Sequence, residues 1–175
     1  MYVRESQLPQ GGEGLYARRD FGVKEVAALY NGIKFKSSTY AADHMPRWGC
    51  MWKHLISIYR TQVLNADLLA RSDYRIRLNG DYDMDIPLGY HLTSQYCATL
   101  AHKANHSFTP NVEWTLYEHP RFGLIRALTT TVPIKRDEEI LVNYQMTLAK
   151  SPEWYRQVWL QWMRKTKKDD AAIQR

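Results

Sequence analysis

Three groups of residues in this 175-residue chain have the types and spacing to do chemistry. In His102-Lys103-Ala104-Asn105-His106 two histidines stand four residues apart, which on a helix would put both imidazoles on one face, with Cys97 upstream as a third metal ligand. The glutamate of a zinc-protease motif is missing, and Ser107, Pro110 and Asn111 beyond the pair favour the end of any helix. The alternative is a polar loop whose side chains satisfy its own backbone. Gly11-Gly12-Glu13-Gly14 lets backbone approach a ligand closely. No Gly-Lys-Ser/Thr follows it, so it is not a phosphate loop, and an ordinary turn is the plain reading. Tyr30 and Tyr144 each close an apolar run; each is either a core tyrosine with a bonded hydroxyl or part of a ligand wall. No Ser-His-Asp or Cys-His signature and no glycosidase-like carboxylate pair is visible.

The elements that must position these groups are mostly strands. Leu15 to Ala17 and Val26 to Tyr30 are strand-prone, and Asn31-Gly32 is a turn signal after the second run. Leu55, Tyr59 and Val63, with Trp52 and Ile56, recur at helical spacing and predict a helix within 48–70. Strand character returns at Asp73 to Leu78, and Asp81 to Pro87 reads as a turn leading into a short extended piece. Gln95 to His102 is expected to be a short helix. Val112 to Tyr117 and Leu124 to Val132 are expected strands around a turn at His119 to Gly123, and Ile140 to Tyr144 is a further strand. Ser151-Pro152-Glu153 starts a helix, with Ser as cap and Trp154, Val158 and Trp162 on one face. The sum is a mostly-β, α+β fold of small sheets.

Composition narrows the partners. Hydrophobic residues make up 45% and charged residues 24%, which suits one soluble globular domain. The 12 Tyr and 6 Trp favour flat or cationic ligands, although aromatic cores are commoner than aromatic sites. Two cysteines, Cys50 and Cys97, build neither a disulfide framework nor a four-cysteine zinc site, so a reduced intracellular compartment and no structural zinc are expected. No apolar run spans a bilayer and no signal-peptide core opens the chain, so no membrane is expected. The net charge of +6 is partly local, in Arg164, Lys165, Lys167 and Lys168. That cluster reads as a solvated tail or as a basic surface for nucleic acid or chromatin.

Taken together and in order, these residues resemble the SET-domain protein-lysine methyltransferases. The stretches that carry the likeness are Gly12-Glu13-Gly14-Leu15, Tyr30-Asn31-Gly32, Tyr96-Cys97-Ala98, His102 through Asn111, His119-Pro120-Arg121-Phe122-Gly123, Asp137-Glu138-Glu139 with Tyr144, and Pro152-Glu153-Trp154-Tyr155. Within the family the chain is most similar to the enzyme that carries MORN repeats, and is expected to be its catalytic portion only. The resemblance implies small curved sheets with a C-terminal pseudoknot. Residues 1–150 would form the SET domain, with an insert at about 33–72, and residues 151–175 a helix and basic tail completing a cofactor pocket. It implies S-adenosylmethionine as methyl donor and a protein lysine, histone or not, as acceptor. It further implies that the protein resides in nucleus, cytoplasm or both.

Carried over by position, Gly11, Gly12, Glu13, Asn105, His106 and Trp154 would bind the cofactor, and Tyr30, Trp114 and Tyr144 would wall a lysine channel. Arg126 and Met146 would touch substrate. The chain departs from its relative in having Trp114 and Met146 where tyrosines stand, Arg126 for a lysine, and Val158 or Trp159 where an acid helps hold the cofactor. Bulky Trp114 leads to the expectation of monomethylation. Two other readings stay open: a catalytically weak SET-fold binding module, and a basic nucleic-acid-binding domain.

Overall fold

The computed structural model describes residues 1–37, 74–86, 93 and 99–173. The helix expected within 48–70, Cys50 and Cys97, and most of the 33–72 insert lie outside the described residues.

β1 (Tyr2–Glu5) and β2 (Glu13–Tyr16) pair antiparallel, with Val3 opposite Leu15. The turn between them needs glycine: Gly12 has φ +58, a left-handed backbone that only glycine adopts at no cost. β3 (Val26–Tyr30) leads into a turn at Asn31-Gly32 and then β4 (Ile33–Lys36). A side chain on Gly32 would run into the Asp85 carbonyl, so this turn is fixed by packing as well as by local preference. β4, β5 (Ile76–Arg77) and β6 (Tyr82–Asp85) form a three-stranded sheet in the order β4-β6-β5. The extended piece expected before Pro87 is thus the centre strand of a sheet.

The third sheet carries the site. It contains β7 (Asn105–His106), β8 (Val112–His119), β9 (Gly123–Thr130) and β10 (Leu141–Val142), in the order β3-β9-β8-β10-β7. β8 and β9 are the long hairpin expected around His119 to Gly123, with His119 opposite Gly123. β10 runs parallel to both β7 and β8 and lies between them. The link 107–111 joining β7 to β8 must therefore cross β10, so a late segment passes beneath an earlier loop. Such threading is rare. The crossing is sealed by hydrogen bonds: Ser107 N–H to the Val142 carbonyl at 3.0 Å and Asn111 N–H to Leu141 at 3.1 Å. Leu15, Val112, Ile125, Leu128, Ile134, Ile140 and Val142 are fully buried around this junction and form the core.

Two local expectations are corrected, and a third is described only at its end. The strand expected over Ile140 to Tyr144 is only Leu141–Val142, because Asn143 and Gln145 turn the chain out, the latter at φ 55. Of the short helix expected from Gln95 to His102, residues 95–98 lie outside the described residues, and the described end enters a 3-10 turn at Ala101–Lys103. The C-terminal helix, α1 (Glu153–Ile173), begins where expected, but the Ser151 hydroxyl donates back to the Leu148 carbonyl at 2.9 Å. α1 buries Tyr155, with Trp159 and Trp162 partly covered, while Trp154 and Val158 stay exposed. The packing face is thus rotated from the one that spacing suggested.

Candidate active site

Two cavities meet beside β7 and the chain after β10. The larger, about 740 Å³, is walled by Gly11 and Glu13, by His102, Lys103 and Asn105, and by Met146, Lys150 to Pro152 and Trp154 on the way into α1. The smaller, about 160 Å³, is walled by Tyr30, Trp114, Tyr144, Ala101, Ala104 and Ile76. Tyr74, Arg75, His102, Tyr144 and Met146 border both, so the two open onto each other. A volume of several hundred Å³ with mixed walls suits a nucleotide-sized ligand.

The narrow cavity is aromatic. The rings of Tyr30 and Trp114 meet edge to face with centroids 5.6 Å apart. Tyr30 is buried, and its hydroxyl donates to the Tyr74 carbonyl. Burial, then the nearby Asp85 carboxylate, raise its pKa. The Tyr144 hydroxyl donates to the Ala104 carbonyl at 3.0 Å, and burial pushes its pKa up to about 12. Both phenols keep their protons at neutral pH. Neither is a general base, because the charged form is the one that burial penalises.

The floor of the larger cavity is stapled by Asn105. Its amide donates to the carbonyls of Gly11 and Glu13, both at 3.1 Å, and to Glu139 Oε1 at 3.3 Å. Glu139 is buried and also accepts from the Ser6 hydroxyl at 2.6 Å, the Gln7 N–H at 3.1 Å and the Tyr16 hydroxyl at 3.1 Å. One carboxylate thus ties the chain just after β1 to β2 and β7. A side chain on Gly14 would collide with Glu139, so the glycine is required by this contact. The Glu13 carboxylate is bonded by buried Lys103 at 2.6 Å and by Thr93 at 2.7 Å, which lower its pKa.

Behind this floor, His106 is enclosed by rings. Tyr155 lies 4.5 Å away, Phe108 4.4 Å, Tyr144 5.3 Å and Trp154 6.1 Å, centroid to centroid. Burial lowers its pKa to about 4, so the ring is neutral. Nδ1 accepts the Tyr144 N–H at 3.2 Å, which leaves the proton on Nε2. Nε2 is buried and finds no acceptor among the described residues.

The residues singled out by sequence are therefore distributed as follows. Gly11, Glu13, Asn105, Met146 and Trp154 border the large cavity, Tyr30 and Trp114 the small one, and Tyr144 and Met146 both. Gly12 forms the turn beside Gly11, and His106 backs the wall. Arg126 borders neither cavity: it sits opposite Tyr30 on β9, with its Nε on the Arg77 carbonyl at 3.0 Å. Sequence reasoning missed Tyr74, Arg75, Lys150 and Pro152 as wall residues. Nothing local marked the first two. They directly precede β5, which is placed by its pairing with β6. Among the described residues no cluster of His, Cys, Asp and Glu could hold a metal, and no helix is long and apolar enough to cross a membrane.

These walls and the crossed strand belong to a known architecture. The SET domain profile matches residues 12–145, and the chain belongs to the SET-domain family. Among individual proteins, it is 34% identical over 164 residues to the histone-lysine N-methyltransferase SETD7 of Halocynthia roretzi, a match covering 89% of this chain and 36% of that protein. The chain thus spans about a third of the length of that relative. Two solved structures are also similar. One is a Plasmodium falciparum chain assigned as a histone methyltransferase, at 19% identity and TM-score 0.47, covering 83% of this chain and 97% of that one. The other is a chain of a humanized mutant Polycomb Repressive Complex 2 of Chaetomium thermophilum, at 17% identity and TM-score 0.49, covering 82% and 14%.

Proposed function

We propose that this chain transfers a methyl group from S-adenosylmethionine to the side-chain amine of a protein lysine. The observation that carries the reading is the junction of the polar cleft and the narrow aromatic cavity at Tyr144 and Met146, in a chain of the SET family. Such a junction lets two reactants enter from opposite sides and meet end to end. Bound in the cleft, S-adenosylmethionine would supply a methyl carbon activated by its sulfonium. The residues present fit that cofactor. Trp154 keeps 43% of its surface exposed on the cleft and offers a ring face for a base. The unmet Nε2 donor of His106 lies behind it. Gly11, Gly12, Glu13 and Asn105 hold the floor. In this reading residues 1–150 form the SET domain, and the segment from 151 closes the pocket.

The narrow cavity accounts for the acceptor. Tyr30, Trp114 and Tyr144 make a wall in which an ammonium is disfavoured, so the lysine enters neutral after losing its proton to water. Holding the amine in line with the methyl carbon is the main task, worth roughly 7–11 kcal/mol in well-oriented reactions. Tyr144, fixed by the Ala104 carbonyl, orients the amine. Met146 lines the entrance. Arg126, beside Tyr30, would touch the substrate outside the channel. In this reading bulky Trp114, on the wall of the narrow cavity, takes the space a second methyl would need, and the product is monomethyl-lysine. The relative named as a histone-lysine enzyme supports a histone or another protein as substrate, with chromatin association and residence in the nucleus, the cytoplasm or both.

The test is a donor-dependent methylation assay on a peptide array with mass readout. One methyl increment on lysine is expected. No incorporation into any peptide would refute the activity, and abundant trimethyl-lysine would refute the role given to Trp114.

A further inference from the structure

We propose that the protein segment entering this site carries acidic side chains next to its target lysine, read by Arg77 and Arg126. The inference rests on the methyltransferase reading and deepens it to a substrate class.

Arg75 borders both cavities, so a cation stands where the two reactants would meet. Arg75 and Arg77 are two residues apart on an extended chain and share a face. Both turn to one carboxylate, Asp83, with Arg75 Nε at 2.8 Å and Arg77 Nε at 3.7 Å. Asp83 is buried and also accepts from the Ser37 hydroxyl at 2.9 Å. One negative charge therefore lies between two guanidiniums. Arg75 holds it at close range, and Arg77 keeps 70% of its side chain exposed. Arg126, anchored by its Nε on the Arg77 carbonyl, adds a third guanidinium next to the channel residue Tyr30.

The balance of exposed charge decides what this rim attracts. Asp83 and Asp85 are buried and give a partner little to meet; among the described residues the exposed carboxylates nearby are Asp81, in the turn between β5 and β6, and Glu118 on β8, two residues from Leu116, the cross-strand partner of Arg126. A segment dense in lysine and arginine, as histone tails are, would bring like charge against Arg77 and Arg126, which costs affinity. Glutamate or aspartate beside the lysine would pair with the exposed Arg77 guanidinium and with the free edge of half-buried Arg126.

Two labelled peptides test this, identical except for Glu or Arg on both sides of a single lysine. Binding to the full chain is followed by fluorescence anisotropy, and methyl transfer to the same pair by mass spectrometry. The Glu peptide is expected to bind at least about tenfold more tightly, with the advantage shrinking as salt rises. Arg77→Ala and Arg126→Ala together should bring the two affinities to within about threefold, with the thermal midpoint monitored to show that the fold persists. Equal binding, tighter binding of the Arg peptide, or binding of neither overturns the proposal. Tight binding of the Glu peptide without methyl incorporation would instead overturn the methyltransferase reading and leave the docking intact. Equal binding with transfer to both would do the reverse.

Discussion

Tyr144 and His106 sit back to back, and each makes a sharp prediction. The Tyr144 hydroxyl donates to the Ala104 carbonyl, which fixes its oxygen beside the channel. Tyr144→Phe keeps the ring and removes that oxygen. Turnover should fall by about 100-fold, the usual loss for one oriented polar group, while donor affinity stays within about twofold. Single-turnover kinetics with donor titration separates the two; parental turnover would remove the assigned role. His106 is buried neutral, with its pKa lowered from 6.5 to about 4. The unfolded chain therefore binds a proton between these values that the folded chain does not. The stability it contributes is fully present above pH 6.5 and is lost as pH falls through about 4, up to about 3 kcal/mol. Thermal melts at pH 7 and pH 4.5 should show that drop, and it should shrink in a His106→Gln variant.

At the scale of elements, Tyr155 is the buried residue of the face by which α1 packs. Tyr155 is buried, with its ring 4.5 Å from His106, 5.1 Å from Phe108 and 5.6 Å from Trp154. Trp162 adds a contact to Phe108 at 5.5 Å. Tyr155→Ala should destabilise the fold by about 3 kcal/mol, as for other large-to-small changes in a core. It should also weaken donor binding, because Trp154 precedes it on the same turn. Denaturant unfolding with a donor titration checks both. If stability falls while donor affinity is unchanged, the link between Tyr155 and the pocket fails. The apolar spacing of Trp154, Val158 and Trp162 announced a helix, but not which way it would roll. That roll is chosen by His106 and Phe108, which lie elsewhere in the sequence.

Across the whole molecule, the crossed strand is the structural commitment. Asn111 clamps it: its amide donates to the Glu139 carbonyl at 2.8 Å, and its Oδ1 accepts the Leu141 N–H at 2.8 Å. Both bonds span about thirty residues of chain and are made by a buried side chain. Asn111→Ala leaves the buried Glu139 carbonyl and the half-buried Leu141 N–H without these partners, at a cost of about 2–4 kcal/mol. Unfolding should stay cooperative with a lower midpoint, since the core around Ile125 and Leu128 is untouched. A midpoint within error of the parent would show that the clamp is dispensable.

The sequence by itself determined the kinds of element and the family. Alternation and turn residues set the β8–β9 hairpin, and the ordered run from His102 to Asn111 with Tyr144 and Trp154 pointed to the SET fold. Most of the wall was named through that resemblance, position by position; local spacing alone marked only a polar stretch near residues 102 to 111. Tertiary structure alone decided the rest. β10 has only two paired residues, too few to show a pattern, and its place between β7 and β8 is set by burial and by Asn111. Glu139 looked like one acid in a polar turn until folding gave it four donors. Arg75 had no local signal and stands at the cavity just before β5, held by Asp83 of β6, whereas Arg126 was expected at the substrate and is held at the rim by the Arg77 carbonyl. Periodicity reports which face of an element is apolar, but where that face goes depends on contacts between residues far apart in the chain.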